Sequence, residues 1–423
     1  GLVRKNLDGS IEPGMAESWK ISENGLNYTF NLRKNALWSD GKPVTAHDFE
    51  YAWKRTLDPG KDSAVAFMMY YLKNGEAYNN NKCQKDDVGV RAINSYTLEV
   101  TLQNPAPYFL ELLTYHTYYP VRRDIIETDP NSWYRKPYMM VSNGPFCLEE
   151  WEENKQIKTI KNPYYWDKDS VKLNSIKFLI ERVGDEEIWT RYLQGKIDFG
   201  YVFPSYINKA DEIASKEHNV IPDDCLTTSY LCINSKKEPF NDIRVRQALE
   251  LALDRNRIVE ERRMNEQLAT GFVPPGIPDA EPGSDFRSTG GEYMSKECTE
   301  DNANKAKELL KEAGYDDLSK FPTIVILTRN SNISRYIEES LEKNLGINAE
   351  LDICKDVLYA QKKDDQEFDI IVNSWIADFA DPINFLGFLS NETAFKGILP
   401  SEYYDLVKNS TQTADNVRRI GLL

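Results

Sequence analysis

The chain has 423 residues, with 52 Lys and Arg against 67 Asp and Glu and a formal charge of −15. Its 41% hydrophobic and 28% charged residues are those of a folded globular chain, and this length implies about two or three cores rather than one. The charge excludes nucleic acid and anionic lipid as natural partners, and no run of about 18 apolar residues is present to span a membrane.

The chain opens at Gly1 inside what reads as a strand-to-turn segment. A start in mid-domain is expected to reflect truncation or processing, so the missing signal peptide does not imply a cytoplasmic address. Tyr28, Phe30 and Leu32 alternate along a strand, and Ser39–Pro43 is a turn. Thr45 and Asp48 then form a capping-box start to an amphipathic helix, whose Phe49, Ala52, Trp53, Thr56 and Leu57 recur at helical spacing. Strands are expected at Leu98–Leu102, Gln156–Ile160, Ile176–Ile180 and Ile197–Val202, with a helix over Glu186–Gln194 stopped by Gly195. Beyond Cys232, Asn241 or Asp242 caps a helix that buries Val245, Ala248, Leu249, Ala252 and Leu253. Helices over Asn302–Ala313 and through Ile333, Ile337, Leu341 and Leu345 end at Gly314 and Gly346. They alternate with strands Thr323–Leu327, Ala349–Ile353 and Asp369–Ser374, while residues 274–300 read as a long loop. Strand and helix in alternation define an α/β fold class.

Chemistry is sparse. HExxH, GxSxG, P-loop and GxGxxG patterns are all missing. The six cysteines contain no CxxC, and His47, His116 and His218 lie far apart, so neither a metal site nor a cofactor is expected. Cysteine pairing cannot be read from the spacing. The pairs Asp223-Asp224 and Asp316-Asp317 sit in polar stretches and read as solvated turns. The 24 Tyr, 17 Phe and 8 Trp suit both cores and a roomy ligand cavity. One segment stands apart: Asp369-Ile-Ile-Val-Asn-Ser-Trp-Ile-Ala-Asp378-Phe-Ala-Asp381-Pro382, an apolar strand that runs into a tryptophan, a carboxylate and an Asp-Pro turn. Taken alone, Asp378 is a helix cap, a loop residue or a functional acid.

Ordered motifs extend through most of the chain. They include Pro13-Gly-Met-Ala-Glu-Ser-Trp19, Phe30-Asn-Leu-Arg33, Trp38-Ser-Asp-Gly-Lys-Pro-Val-Thr-Ala-His-Asp-Phe49 and Asn104-Pro-Ala-Pro-Tyr-Phe109. Asn143-Gly-Pro-Phe146, Asn162-Pro-Tyr-Tyr-Trp166, Gly195-Lys-Ile-Asp198 and Trp375-Ile-Ala-Asp-Phe379 follow, with Pro239-Phe-Asn-Asp-Ile-Arg-Val-Arg-Gln-Ala248 between the last two. In these the chain resembles the peptide/nickel class of ABC-transporter substrate-binding proteins (solute-binding family 5, cluster C), in its oligopeptide-binding branch.

The resemblance implies a periplasmic-binding-protein-like, type II, two-lobed clamp with an extra inserted domain. Residues 1–35 and 144–228 would form domain I, with terminal parts missing, 36–143 the inserted domain II, and 229–423 domain III. It implies a monomeric, non-enzymatic binder outside the cytoplasm, periplasmic or lipid-anchored, that holds an oligopeptide with a free N-terminus between the lobes and serves a membrane permease. The family's amine-binding aspartate falls on Asp378, and the backbones of Ser374 and Ile376 would line the peptide. Trp375 is core or pocket wall; Tyr230 and Cys232 are liners or core. Val65 and Phe67 fall where the inserted domain resembles a cleft-facing loop, and Arg33 and Asn143 near the ends of the insertion. A bridging cysteine pair of some members is replaced by Thr227 and Ile376, and charged residues that serve peptide termini or side chains in some members by Cys232, Lys363 and Val372. Preferences for peptide length and charge therefore do not carry over. A dipeptide, a nickel chelate, heme, an oligosaccharide or a signalling peptide would suit the same fold, and peptidase activity is the remaining alternative.

Overall fold

The structure is a computed structural model that describes residues 1–6, 9–61, 63–181, 183–201, 225–262, 266–294, 299–329, 332–391, 395 and 397–423. Asp223, Asp224, His218 and Cys298 lie outside the described residues. The chain divides into two compact units, Gly1–Val183 with Thr411–Arg419, and Gly184–Ser410 with Ile420–Leu423.

The first unit begins with a hairpin of β1 (Val3–Lys5) and β2 (Ile11–Pro13). Its main sheet is antiparallel, in the order β3 (Ala16–Ile21), β4 (Asn27–Leu32), β6 (Thr97–Thr101), β5 (Val90–Asn94). The alternation in β4 puts Tyr28, Phe30 and Leu32 in the core. There Tyr28 meets Phe109 edge-on at 5.0 Å and Trp53 meets Tyr118 edge-on at 5.1 Å, a favoured aromatic geometry. Trp53 comes from helix Ala46–Thr56, whose Thr45 N–H donates to Asp48 Oδ2 at 2.8 Å. Its indole N–H donates to the Tyr118 carbonyl at 2.9 Å, so the buried polar atom is satisfied. A second sheet runs β7 (Phe146–Glu152), β8 (Gln156–Lys161), β9 (Ser175–Leu179). β4 pairs antiparallel with β6 from Asn27 opposite Thr101 to Asn31 opposite Thr97.

The second unit is built on one mixed sheet in the order β10 (Thr227–Ile233), β13 (Ile370–Ile376), β11 (Ile324–Thr328), β12 (Ala349–Ile353). β11, β12 and β13 are parallel, and β10 is antiparallel to β13. Helix Asn332–Leu345 connects β11 to β12, and helix Asp356–Asp364 connects β12 to β13. These helices cover opposite faces. Ile337, Leu341 and Leu345 pack with Ile324, Ile326 and Ile370, whereas Tyr359 packs with Leu327, Ile371 and Cys232. Helix Ile243–Ala252 is capped by Asp242, which accepts the Arg244 N–H at 2.8 Å, and joins the first cluster through Val245, Ala248, Leu249 and Ala252. Gly314 and Gly346, each just beyond a helix, have φ of +98° and +72°, conformations that favour glycine.

Two expectations change. The strand expected at Ile197–Val202 is not formed over its described residues 197–201, where Phe199 and Tyr201 are 72% and 71% exposed. An alternating pattern becomes a strand only when a neighbour completes its ladder. The loop at 274–300 contains a short helix, Phe286–Thr289, capped by Asp285 through the Ser288 N–H at 3.0 Å.

Leu341 is fully buried in the larger cluster of the second unit. Leu341→Ala should destabilise that unit by about 2–5 kcal/mol. Urea denaturation read separately in each unit should show its midpoint fall while that of the first unit stays in place.

Candidate functional site

The sheet of the second unit has a topological switch. β12 and β13, which follow β11 in the chain, lie on either side of it. In open α/β sheets the crevice at such a switch, beyond the carboxyl ends of the strands, is where ligands bind. Here those ends are Thr328 of β11 and Ile376 of β13.

β13 outruns its neighbour there. β11 pairs with Ile370 and Ile371, whereas β10 pairs with β13 along its whole length, from Ile233 opposite Ile370 to Thr227 opposite Ile376. Backbone directions follow from the bonds just outside this ladder, Asn234 N–H to Asp369 O at 2.9 Å and Ala377 N–H to Leu226 O at 2.8 Å. Hydrogen-bonded pairs alternate in an antiparallel ladder. Residues 371, 373 and 375 therefore bond to β10, while the N–H and C=O groups of Val372, Ser374 and Ile376 point to the other side. Among the described residues no strand pairs with β13 on that side beyond Ile371.

The side chains divide with the same period. Trp375, Tyr230 and Cys232 share one face through the register pairs Trp375–Thr228, Asn373–Tyr230 and Ile371–Cys232. The Trp375 ring stacks on Phe388 with centroids 3.9 Å apart, and its Nε1–H donates to Asn384 Oδ1 at 2.8 Å. It is thus committed to helix Pro382–Asn391. Tyr230 is half-buried, edge-on to Phe272 at 5.2 Å. Cys232 is 2% exposed in the cluster of Tyr359 and Phe368, so its side chain is core. Ser374 and Ile376 lie on the opposite face and are exposed, Ile376 at 58%. Thr227 and Ile376 stand directly opposite each other.

Asp378 follows two residues after the strand. It is half-buried, and burial alone raises its carboxyl above the usual range, with no compensating cation or donor among the described residues. It does not cap the following helix. That role belongs to Asp381, whose Oδ1 accepts the Ile383 N–H at 3.0 Å ahead of Pro382 in the first helical position. Asp317 likewise accepts the Ser319 N–H at 3.2 Å in its turn.

Val65, Phe67 and Asn143 belong to the first unit. Val65 precedes the one-turn helix Ala66–Met69, in which Ala66, Met68 and Met69 are buried and Phe67 is 53% exposed. Asn143 is half-buried at a bend whose flanking carbonyls, of Ser142 and Gly144, both accept from Asn162 Nδ2, at 3.3 and 2.9 Å. Sequence reasoning passed over Asn373, whose Oδ1 accepts the Ser374 N–H at 3.0 Å. The available signal was one amide side chain interrupting an apolar strand.

The sequence model for bacterial extracellular solute-binding proteins, family 5 Middle, matches residues 10–397. The chain is 35% identical over 432 residues to the dipeptide-binding protein DppE of Bacillus subtilis, covering all of this chain and 77% of DppE. It superposes on Burkholderia pseudomallei OppA with a TM-score of 0.80 at 28% identity, over all of this chain and 83% of that one. For Haemophilus influenzae OppA, solved in complex with the peptide RPPGFSPFR, the TM-score is 0.77 at 28% identity, again over all of this chain and 83% of that one. The chain belongs to the extracellular solute-binding proteins of family 5, and its fold class is that of the type II periplasmic binding proteins. It is a substrate-binding protein by family.

The two aspartates should separate in stability measurements. Asp381→Ala removes a cap and should cost about 0.5–2 kcal/mol. Asp378 has a folded pKa above its unfolded value, so its contribution to stability falls as pH rises from the unfolded pKa through the folded one. Asp378→Asn should abolish that acid-range dependence and leave the protein no less stable at pH 7. A loss of stability at pH 7 comparable to that of Asp381→Ala would assign Asp378 a structural role.

Proposed function

We propose that this chain captures oligopeptides outside the cytoplasmic membrane and delivers them intact to the permease of an ABC importer. It acts as a monomer, free in the periplasm or held by a lipid anchor, and as a binding module rather than an enzyme. The observation that carries this reading is the edge of β13, open among the described residues, with exposed Ser374 and Ile376, leading to a half-buried carboxylate that has no counter-charge among those residues. An extended peptide adds to such an edge as a further strand, and its main chain supplies affinity that does not depend on sequence. Asp378 receives the N-terminal ammonium in a charge-assisted hydrogen bond and so sets the register. The names of relatives support this ligand class: DppE is a dipeptide-binding protein, and the Haemophilus OppA was solved with a peptide bound.

A carboxylate whose pKa is raised in the free protein and depressed by an ammonium in the complex binds its ligand fully only above the free-protein pKa. Affinity for a free-amine peptide should therefore decline as pH falls through that value. Asp378→Asn should weaken such a peptide by about 3–5 kcal/mol, or roughly two to four decades. An N-acetylated peptide should bind the wild type poorly and lose much less on the same substitution, because no ion pair is left to break. Calorimetry on two proteins and two peptides measures all four affinities. Equal losses for both peptides would place the amine anchor elsewhere, and mass spectrometry of the recovered peptide tests that it is not cleaved.

A further inference from the structure

The open edge of β13 is partly closed by the protein's own groups. The Val372 carbonyl, the first beyond the reach of β11, accepts a hydrogen bond from the Tyr359 hydroxyl at 3.3 Å. The next outward N–H, that of Ser374, donates to Asn373 Oδ1 at 3.0 Å. Tyr359 is itself buried on helix Asp356–Asp364, with the Arg329 guanidinium over its ring at 4.4 Å, so its bond belongs to the core. The Asn373 bond differs in kind. It joins a half-buried side chain to the backbone of the next residue, on the edge where a ligand strand would be added, and rotation of one side chain breaks it.

We propose that Asn373 is a displaceable cap on this edge, occupying the donor that the first backbone carbonyl of an incoming peptide must take. The inference rests on the reading of β13 as the site of strand addition. Its chemistry is an exchange. In the ligand-free protein the Ser374 N–H bonds to the Asn373 amide oxygen. In the complex it bonds to a peptide carbonyl, and the amide turns outward to water or to the ligand. The cap makes Asn373 a residue that tunes affinity uniformly, whatever side chains the peptide carries, since it competes with main chain alone. It also shields a bare strand edge, which would otherwise pair with another copy of the same edge.

Amide exchange and calorimetry test this together. In the ligand-free protein, Asn373→Ala should speed exchange of the Ser374 amide about tenfold or more, whereas Asn373→Asp, which keeps an acceptor of the same reach, should hold it protected. With trialanine bound, wild type and Asn373→Ala should protect Ser374 alike. Asn373→Ala should bind trialanine about three- to tenfold more tightly, because one intramolecular bond need no longer be broken. Unchanged Ser374 exchange in ligand-free Asn373→Ala, or an affinity that is unchanged or weaker, would overturn the cap. A wild-type protein that binds neither trialanine nor any member of a mixture of short peptides would overturn the peptide reading instead, and the ligand-free exchange rates would still decide whether Asn373 protects Ser374.

Discussion

β13 runs from Ile370 to Ile376, yet β11 pairs only with Ile370 and Ile371. That mismatch in length is the constraint on which the site depends. A strand paired on one side alone exposes a row of backbone donors and acceptors, and among the described residues that row begins at the switch point of the sheet. β10 makes the overhang possible, because its antiparallel ladder holds β13 to the last residue. Without that ladder the overhanging residues would be a loop, with no fixed direction for their N–H and C=O groups. With it, Ser374 and Ile376 present their groups along one line, and Asp378 follows at the end of that line.

The opposite face of the overhang is held by aromatic packing. Trp375 lies between its strand and helix Pro382–Asn391, stacked on Phe388 and hydrogen-bonded to Asn384. Phe388, Phe272 and Tyr230 continue the layer. This packing anchors Trp375, which stands between the edge residues Ser374 and Ile376, and a strand that is ordered beforehand does not have to be ordered by what binds it. The two aspartates beyond the strand divide the local work. Asp381 has the helix start and Pro382 beside it and is used as a cap. Asp378, three residues earlier, is left half-buried without a partner among the described residues, which a folded chain sustains at a cost.

Much of the framework was legible because it depends on local period. Helix Ile243–Ala252, with its Asp242 cap and its buried Val245, Ala248, Leu249 and Ala252, is written in a stretch that fixes its own conformation. The same holds for Tyr28, Phe30 and Leu32 on β4, and for the glycines that end the helices before β11 and β12. The segment at 197–201 shows the limit of such reading, since its pattern suits a strand but no ladder forms there among the described residues. The six cysteines had no legible pairing, and the five described, Cys83, Cys147, Cys225, Cys232 and Cys354, form no disulfide with one another.

For the candidate site, the sequence by itself determined that an apolar strand ends in Trp375 and that Asp378, Asp381 and Pro382 follow in a turn-forming order. It left Tyr230, Cys232 and Trp375 open between core and cavity, and it did not point to Asn373. Tertiary structure decided those positions, because a strand's alternation says which residues share a face but not which face is covered, nor which backbone groups are already bonded. That information lies in the register with β10, in the point where β11 stops, and in the helix that covers Trp375. These are long-range pairings, and no local pattern in the chain encodes them.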